Sequence, residues 1–464
     1  MLRKTKIAVA IIATLAVSTV TANELVKTDV NGTPVTGTVQ TLDVQGKVVK
    51  TVHTYGVGEM PTASSVITYK SASIGDEYAA VDSSGIAVVD FDKASLLKMK
   101  VGETKSFKFF DKDVKVAYSD TINHSNGDSS WVGNVDGDGR VIITFGTDGS
   151  VFGSVTDADG GNYSIETASD GNTMLIDNGA PGREAPSQEH DMVAPHSDGT
   201  MLGAAAAQTA TTATTTLNNT LATTGTTAVP ATVMDVMVLY SSTLPNAATR
   251  VNNLVATTNQ AYKDSGLTNV SIRLVNSYGV TYPDANANTS ALTTMASNSG
   301  VFKDVNANRA KYGADAVIYL RPLKATAQGS CGVAYANGAN GTLLQASKAY
   351  AEVSDGTDGQ YFCYNTTLAH ELGHIMGAVH DKEHSVGIKG VYADSYGYGI
   401  NNLYGDIMSY YSPQIAKFAD PTTVAMTTAK GAKYYLGVDG VANIVKTFKA
   451  TAPVVANFVP TTIK

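Results

Sequence analysis

The chain has 464 residues, of which 43% are hydrophobic and only 16% are charged. This length and composition predict a sparsely charged globular protein with two or three domains. The charge is uneven, because residues 23–230 carry 13 Lys and Arg against 26 Asp and Glu, whereas residues 231–464 carry 17 against 15. We therefore expect two modules with different roles, and the absence of a basic cluster argues against nucleic-acid binding.

The first 22 residues have the pattern of a secretory signal peptide. Three basic residues precede an apolar run from Ile7 to Val17, and small residues lead to Ala22, after which cleavage is expected. The alternative is a membrane anchor, but this run is too short to span a bilayer comfortably, and no later stretch is long and apolar enough. The mature protein is therefore expected to be secreted, extracellular and soluble.

Residues 23–198 are predicted to form an acidic, β-rich propeptide domain. Between Trp131 and Ile176, turn signals recur every 9 to 13 residues between short alternating runs, a spacing typical of an antiparallel meander. The segment NVDGDGR (134–140) faintly resembles a calcium loop, but Phe145 stands where a bidentate Glu is needed. Turns explain this segment better, so Ca²⁺ has no clear motif here.

Residues 199–230 form a Thr/Ala-rich, low-complexity tract. Such a segment has little apolar surface to bury, which is typical of a flexible, protease-accessible linker. Because the tract separates the acidic module from the rest of the chain, it is the predicted place of maturation cleavage.

The second module, residues 231–464, alternates predicted strands and helices. This β-α-β-α-β order predicts an α/β (α+β) fold with a mixed, mostly parallel sheet flanked by helices. Two short strand candidates follow, and one of them is expected to be an antiparallel edge. The predicted strands cover 233–241, 270–282, 314–322 and parts of 331–338 and 346–354, and the predicted helices cover 246–266, 288–311, roughly 364–377 and about 440–450.

Cys331 and Cys363 are the two cysteines of the chain. In an exported protein an isolated pair is expected to form one disulfide, whereas the alternative is two buried free thiols. The bond would stabilise the fold by about 3–4 kcal/mol in the chain-entropy model. It would also tether the helix after Cys363 to the segment around Gly332.

The stretch LAHELGHIMGAVHD (368–381) contains three of the chain's eight histidines. His370 and His374 are one helical turn apart, so both imidazoles leave the same face and can share a zinc ion. Glycine readily ends a helix, so Gly377 can turn the chain and bring His380 back as a third ligand. Three protein nitrogens leave a fourth position for water, as in catalytic zinc sites. The alternative is a core helix whose histidines align by chance.

Together, HELGHIMGAVHD (370–381) and GDIMSYYSP (405–413) resemble the signature of the metzincin zinc metallopeptidases. Asp381 after the third histidine resembles the reprolysin (adamalysin) branch, and the chain looks most like bacterial secreted enzymes of the peptidyl-Asp metalloendopeptidase type. The likeness covers roughly residues 233–459, about half of the chain. Its weaker parts are VMDVMVLYS, GADAVIYLRP, SCGVAYANG, DSYGYGI and FADP.

This resemblance implies a role for each matching residue. His370, His374 and His380 would bind one catalytic zinc ion, and Glu371 would be the general base. Met408 would form the hydrophobic floor below the metal, and Asp381 would brace the site.

Tyr410 is placed like the tyrosine that serralysins and astacins use as an extra ligand or an oxyanion stabiliser. Reprolysins generally lack this residue, so its role stays open. The alternative is a packed aromatic side chain, with Tyr411 as an equal candidate.

The chain also departs from the family pattern. A cysteine-switch propeptide is excluded, because no cysteine precedes Cys331. The pairs His190-Asp191 and His196…Asp198 could offer a substitute zinc ligand, although solvated loop residues are the simpler interpretation. His384 could compete as a ligand, but the motif favours His380. Glycine- and aspartate-rich calcium repeats of the serralysin type are absent.

The resulting prediction is a secreted zinc endopeptidase that acts on proteins or peptides, is monomeric, and is kept latent by its propeptide as an intramolecular inhibitor. An extended substrate would pair with an exposed strand edge within Gly332–Asn337. One alternative is a surface- or matrix-binding protein with a structural or vestigial zinc site. Another is a protease of the astacin- or serralysin-like branch.

Overall fold

The computed structural model describes residues 37–42, 48–54, 66–70, 85–110, 112–135, 139–157, 160–186, 192–193, 231–428 and 430–463. The predicted signal peptide (1–22), the linker (199–230) and the pairs His190-Asp191 and His196…Asp198 lie outside the described residues. Among the helices described, none has the length and apolar character needed to cross a membrane.

Within its described residues, the N-terminal module has a two-stranded hairpin and a sheet of nine antiparallel strands. The sheet has the order β3-β4-β11-β10-β9-β8-β7-β6-β5. Its elements are β1 Gly37–Leu42, β2 Val48–Thr54, β3 Ile67–Lys70, β4 Ile86–Phe91, α1 Lys93–Leu96, β5 Thr104–Phe109, β6 Lys112–Asn123, β7 Ser129–Val135, β8 Arg140–Phe145, β9 Val151–Thr156, β10 Asn162–Thr167 and β11 Thr173–Asp177. The antiparallel meander predicted between Trp131 and Ile176 is confirmed from β7 to β11, and the pairing of consecutive strands begins already at β5.

The nine-stranded sheet curls so that its two edge strands meet. The Tyr69 hydroxyl on β3 donates to the Lys108 carbonyl on β5 (2.8 Å) and accepts from the Phe110 amide (2.6 Å). The interior contains packed aromatic rings, among them Phe107 and Trp131, with centroids 5.6 Å apart. These rings are fully buried, and each contributes a large apolar area to the core of this module.

The second module has a mixed sheet of six strands with helices on both faces. Its order is β12-β16-β17-β15-β13-β14. The main elements are β12 Met192–Val193, β13 Thr232–Ser241, α2 Ala247–Asp264, β14 Val270–Val280, α3 Asn288–Ala296, α4 Val305–Tyr312, β15 Ala316–Pro322, α5 Ala325–Gln328, β16 Gly332–Tyr335, β17 Tyr350–Asp355 and α6 Thr367–Ile375. The remaining elements are β18 Thr357–Asp358, β19 Tyr361–Phe362, β20 Gly399–Ile400, β21 Tyr404–Gly405, β22 Asp420–Thr427, β23 Lys433–Leu436 and α7 Ile444–Val455.

The mixed, mostly parallel character of this sheet agrees with the prediction. All neighbouring pairs are parallel except β16–β17, which is antiparallel. Alternate residues of β13 point to opposite faces. Met234, Val236 and Val238 pack with helices α2, α6 and α7, whereas Met237 and Leu239 pack with α3 and the start of α4.

Two secondary-structure predictions were wrong. The single helical stretch predicted for 288–311 is two helices, α3 and α4, because Asn298 (φ 53°) and Gly300 (φ 57°) take left-handed backbone conformations between them. No strand was predicted between His380 and the helix at about 440–450, yet this region contains the β22–β23 hairpin. The pairing of this hairpin has register shifts, and its first strand is mostly half-exposed. Apolar and polar residues therefore do not alternate clearly along that strand.

Candidate metal centre

Helix α6 brings the first two histidines together, as their spacing predicts. His370 and His374 lie on one face of the helix, and their Nε2 atoms are 3.1 Å apart. The disulfide between Cys331 and Cys363 is present, with Cα atoms 5.4 Å apart. It joins the start of β16 to the segment just before α6, so strand β16 and the histidine helix are covalently linked.

The third histidine arrives through a turn at Gly377. This glycine has φ 90°, a conformation that is strained for other residues, and the Ala378 amide donates to the Gly373 carbonyl (3.0 Å). His380 Nε2 then lies 3.0 Å from His374 Nε2 and 3.3 Å from His370 Nε2. Nitrogens bound to one tetrahedral zinc at about 2.0–2.1 Å would be about 3.3 Å apart.

The hydrogen bonds of the imidazoles show that this donor set fits a cation. His370 Nδ1 donates to the Ile407 carbonyl (2.7 Å), and His374 Nδ1 donates to the Ala378 carbonyl (3.0 Å), because a carbonyl oxygen can only accept. In the neutral ring the Nε2 atom then carries the lone pair. All three rings are buried, so converging lone pairs would repel one another unless a cation lies between them.

Glu371 lies next to the histidines and close to strand β16. Its side chain is buried, and a Cβ atom added at Gly332 would lie only 2.4 Å from Glu371 Oε1. The absence of a side chain at Gly332 therefore lets β16 pass close to the carboxylate. A small cavity opens between Gly332, Glu371 and Gln414.

Met408 packs against the histidine helix. Its side chain is fully buried, and a Cβ atom at Gly373 would lie 2.5 Å from its sulfur. Glycine at 373 therefore leaves room for Met408 to pack directly against the helix between the two histidines.

Tyr410, rather than Tyr411, faces the histidines. The Tyr410 hydroxyl is 3.1 Å from His380 Nε2, and the two rings have centroids 4.3 Å apart. The Tyr411 hydroxyl instead donates to the Glu383 carboxylate. The hydroxyl of Tyr410 is thus close enough to reach a ligand held by the three rings.

Asp381 connects the segment of the third histidine to the segment after Met408. It is buried, and its Oδ2 accepts from the Ser409 hydroxyl (3.1 Å) and the Tyr410 amide (3.1 Å). His384 Nδ1 donates to its Oδ1 (2.7 Å). His384 is therefore hydrogen-bonded to Asp381, and it does not belong to the group of histidines whose ligand atoms converge.

Sequence reasoning missed Asp406, which lies two residues before Met408. Burial raises its pKa to about 8, against hydrogen bonds that lower it. Its carboxyl group accepts from the Tyr398 amide (3.0 Å) and the Ala419 amide (2.8 Å). Asp406 thus fixes the backbone that carries Met408, and its place in GDIMSYYSP was the available signal.

The strand edge predicted for substrate is covered by the chain's own N-terminal part. Met192 and Val193 (β12) pair in parallel with β16, and the Ala336 amide donates to the Val193 carbonyl (3.1 Å). A second contact of the N-terminal part is made before α6, where the Glu184 carbonyl accepts from the Phe362 amide (3.1 Å). A cleft of about 770 Å³ adjoins the Glu184–Phe362 contact, and its walls include Tyr364, His384 and Tyr410.

Two family models match this chain. Residues 223–431 match the metallo-peptidase family M12B, reprolysin-like, and residues 69–180 match the BamI lipocalin-like domain. The second module is therefore a reprolysin-like metzincin domain, as the motif at 370–381 predicts. No curated protein sequence matches the chain.

Among the solved structures, 51 chains match this chain. One, described as the structure of a chaperone–substrate complex, has 19% identity and a TM-score of 0.38, and the match covers 50% of this chain and 36% of that one. Another, metalloproteinase-II from Bacteroides fragilis, has 12% identity and a TM-score of 0.42, with 71% and 92% covered. The chain thus spans about a third of the length of the first.

Proposed function

We propose that the protein is a secreted zinc-dependent endopeptidase, made in a latent form, that hydrolyses peptide bonds of extracellular proteins. The single observation that carries the proposal is the convergence of three buried Nε2 atoms within 3.3 Å beside a buried carboxylate. The match of residues 223–431 to an M12B metallopeptidase model supports it.

His370, His374 and His380 would hold the zinc ion. When bound, zinc would lower the pKa of a water molecule toward about 7 and polarise the scissile carbonyl. Glu371 lies next to this position and accepts the proton of the attacking water, then returns it to the leaving amine. The Tyr410 hydroxyl donates to the developing oxyanion. Strand β16 supplies backbone groups that align an extended substrate.

Latency is proposed to come from the N-terminal part of the chain. Met192 and Val193 occupy the backbone edge of β16, so a substrate strand cannot form the same hydrogen bonds until this segment leaves. Export, propeptide removal at the 199–230 linker and monomeric action are parts of the same proposal. The likeness to peptidyl-Asp enzymes favours cleavage next to acidic residues.

The test compares Glu371→Ala with the unchanged protein. The variant is expected to keep one zinc ion per chain and to lose casein hydrolysis by about 10²–10⁴-fold, because only the proton acceptor is removed. Zinc is measured by elemental analysis, and hydrolysis is measured with and without a chelator. Digestion at the unchanged rate would show that Glu371 is not the base.

The same assay separates the proposal from a binding protein with a structural or vestigial zinc site. Such a protein would hold zinc but would not digest casein, whether or not the N-terminal module had been removed. Chelator-sensitive digestion by the processed protein supports the endopeptidase.

A further inference from the structure

Helix α2 presents a row of side chains to the N-terminal module. Thr249, Asn252, Asn253, Ala256 and Asp264 are related by spacings of three, four or eight residues (249 to 252 and 253, 252 and 253 to 256, 256 to 264), so they share one face of the helix. Strands β7, β8 and β9 pack across this face, whereas the apolar residues of the helix pack in the main core. Ala256 of this face packs with Val132 and Ile142 of the N-terminal module.

An ion pair secures one end of this contact. Arg140 on β8 donates to Asp264 Oδ1 through Nε (3.1 Å) and Nη2 (2.7 Å). The side chains are 21% and 8% exposed, so water screens the pair less than a surface ion pair. Gln260, one turn earlier on α2, also donates to Asp264 Oδ1 (2.9 Å) and holds the carboxylate in place.

A buried carboxylate secures the other end. Asp128 Oδ2 accepts from the Asn252 amide on α2 (3.0 Å) and from the Asn126 amide (2.9 Å). Burial by itself would raise the pKa of Asp128, but hydrogen bonds from Asn126, Asn252, Thr147 and Thr249 lower it below its ordinary value. Two of these four donors belong to α2, so the second module helps to keep Asp128 ionised.

Asn253 lies at the centre of the contact and is completely buried. Its amide nitrogen donates to Thr144 Oγ1 (3.0 Å) and to the Phe152 carbonyl (3.3 Å), both in the N-terminal module. Its oxygen accepts from Arg250 Nη1 (2.9 Å). If the modules separated, the Asn253 amide nitrogen would lose both acceptors and could donate only to water. The hydrogen bonds of Asn253 are therefore specific for the N-terminal module.

The contact reaches the start of the histidine helix. Asn365, two residues before α6, donates to Ser164 Oγ (3.1 Å) and the Gly153 carbonyl (3.4 Å) of the N-terminal module. Its oxygen accepts from Arg250 Nη2 (2.7 Å). The N-terminal module is therefore bound both at α2 and beside α6, and these contacts do not depend on the linker.

We propose that helix α2 is a docking surface that keeps the N-terminal β-module bound without a covalent link, so that cutting the linker alone leaves a latent two-chain complex. The partner is the chain's own module, residues 66–186, whose acceptors and Arg140 match the donors and Asp264 of the helix. The latency of the complex, although not the docking itself, rests on the proposed endopeptidase function. Activity would require a second event that destroys or expels the module.

The docking is tested in the full chain with a recognition sequence for a site-specific protease inserted in the 199–230 tract. A Glu371→Gln background prevents the chain from digesting its own module. After the cut, size-exclusion chromatography at decreasing concentration is expected to show both fragments in one peak down to submicromolar concentration. Fragments that elute separately at micromolar concentration would overturn the proposal.

Charge reversal makes the test specific for α2. Asp264→Arg places two cations together and is expected to weaken the cut complex by about tenfold or more. The double variant Arg140→Asp with Asp264→Arg restores the pair and is expected to restore binding. Lys263→Glu reverses an exposed charge on the neighbouring residue and serves as the control. Equal dissociation of all four proteins would show that α2 is not the docking surface.

Latency is tested in the active chain after the same cut. Casein hydrolysis is expected to stay low in the unchanged complex and to rise when Asp264→Arg releases the module. Full activity of fragments that still co-elute would overturn the claim of latency. Separated fragments that bind zinc but remain inactive would instead overturn the proposed peptidase, while the docking result would stand.

Discussion

The metal centre and the module contact differ in how the chain builds them. The three histidines lie within eleven residues, and one helix and one turn suffice to bring them together. The module contact joins residues 99 to 212 positions apart, such as Ser150 with Thr249 and Gly153 with Asn365. The metal centre can therefore be predicted from the sequence, and its ability to bind a metal depends on each histidine. The module contact is instead spread over many contacts of moderate strength.

The strongest test of this difference is removal of one histidine. His374→Ala is expected to lose bound zinc and to lower casein hydrolysis by about 10³-fold or more, because the electrophile supplies several kcal/mol to the reaction. His384→Ala is the control, since His384 bonds to Asp381 and is not in the converging group. Loss of zinc from His384→Ala, but not from His374→Ala, would contradict the assigned ligand set.

The next test concerns the buried arginine between the two regions. Arg250 donates to both oxygens of Asp355 (2.6 and 2.8 Å) and is 1% exposed. Arg250→Met leaves Asp355 buried without its cation and is expected to lower the free energy of unfolding by about 3–5 kcal/mol. Urea unfolding in the Glu371→Gln background measures this change.

Arg140→Met is the matched comparison, because Arg140 is more exposed and its partner is at the module contact. It is expected to cost about 1 kcal/mol and to weaken docking instead. Equal losses for the two variants would remove the distinction between a buried core pair and a docking pair.

A smaller effect is expected at the edge of the metal centre. Tyr410→Phe removes the hydroxyl that lies 3.1 Å from His380 Nε2 and is expected to lower kcat by about 10²-fold with zinc retained. Tyr411→Phe removes a hydroxyl that contacts Glu383 instead and should leave kcat unchanged. A kcat equal to that of the unchanged enzyme in Tyr410→Phe would make Tyr410 a packing residue, as in the alternative interpretation.

The sequence predicts much of the second module because its signals are local. Buried strands such as 233–241 and the spacing of His370 and His374 each occupy one short window, and Gly266 and Gly377 mark two helix ends. The break between α3 and α4 was missed, because Asn298 and Gly300 end a helix less strictly than proline does. Their left-handed conformations are visible only in the structure. Asp406 was missed because an isolated aspartate does not reveal its burial.

The module contact was not predictable from the sequence. In helix α2, Asn252 and Asn253 look like the solvent-facing polar side of an amphipathic helix, yet both are buried against partners more than 100 residues away. Arg140 and Asp264 are 124 positions apart. Polar contacts of this kind leave no periodic pattern, because each depends on where a separately folded sheet meets the helix.

The smallest expected effect is a pH dependence of docking. The pKa of Asp128 is lowered in the docked chain, and Asn252 and Thr249 of α2 supply part of this effect. Release of the module removes those donors and lets the pKa rise. Docking is therefore strongest where Asp128 is ionised in both states, and it weakens as the pH falls below the ordinary carboxyl value of 3.8.

Dissociation of the cut complex is expected to increase by at most about tenfold per pH unit in this range, because one proton is taken up. Size-exclusion chromatography of the cut Glu371→Gln chain measures it. His124 is the titratable neighbour, and its pKa is lowered chiefly by burial while the charge of Asp128 raises it. Asp128→Asn keeps His124 and should flatten the acidic part of the curve, whereas an unchanged curve would assign the pH dependence to other groups.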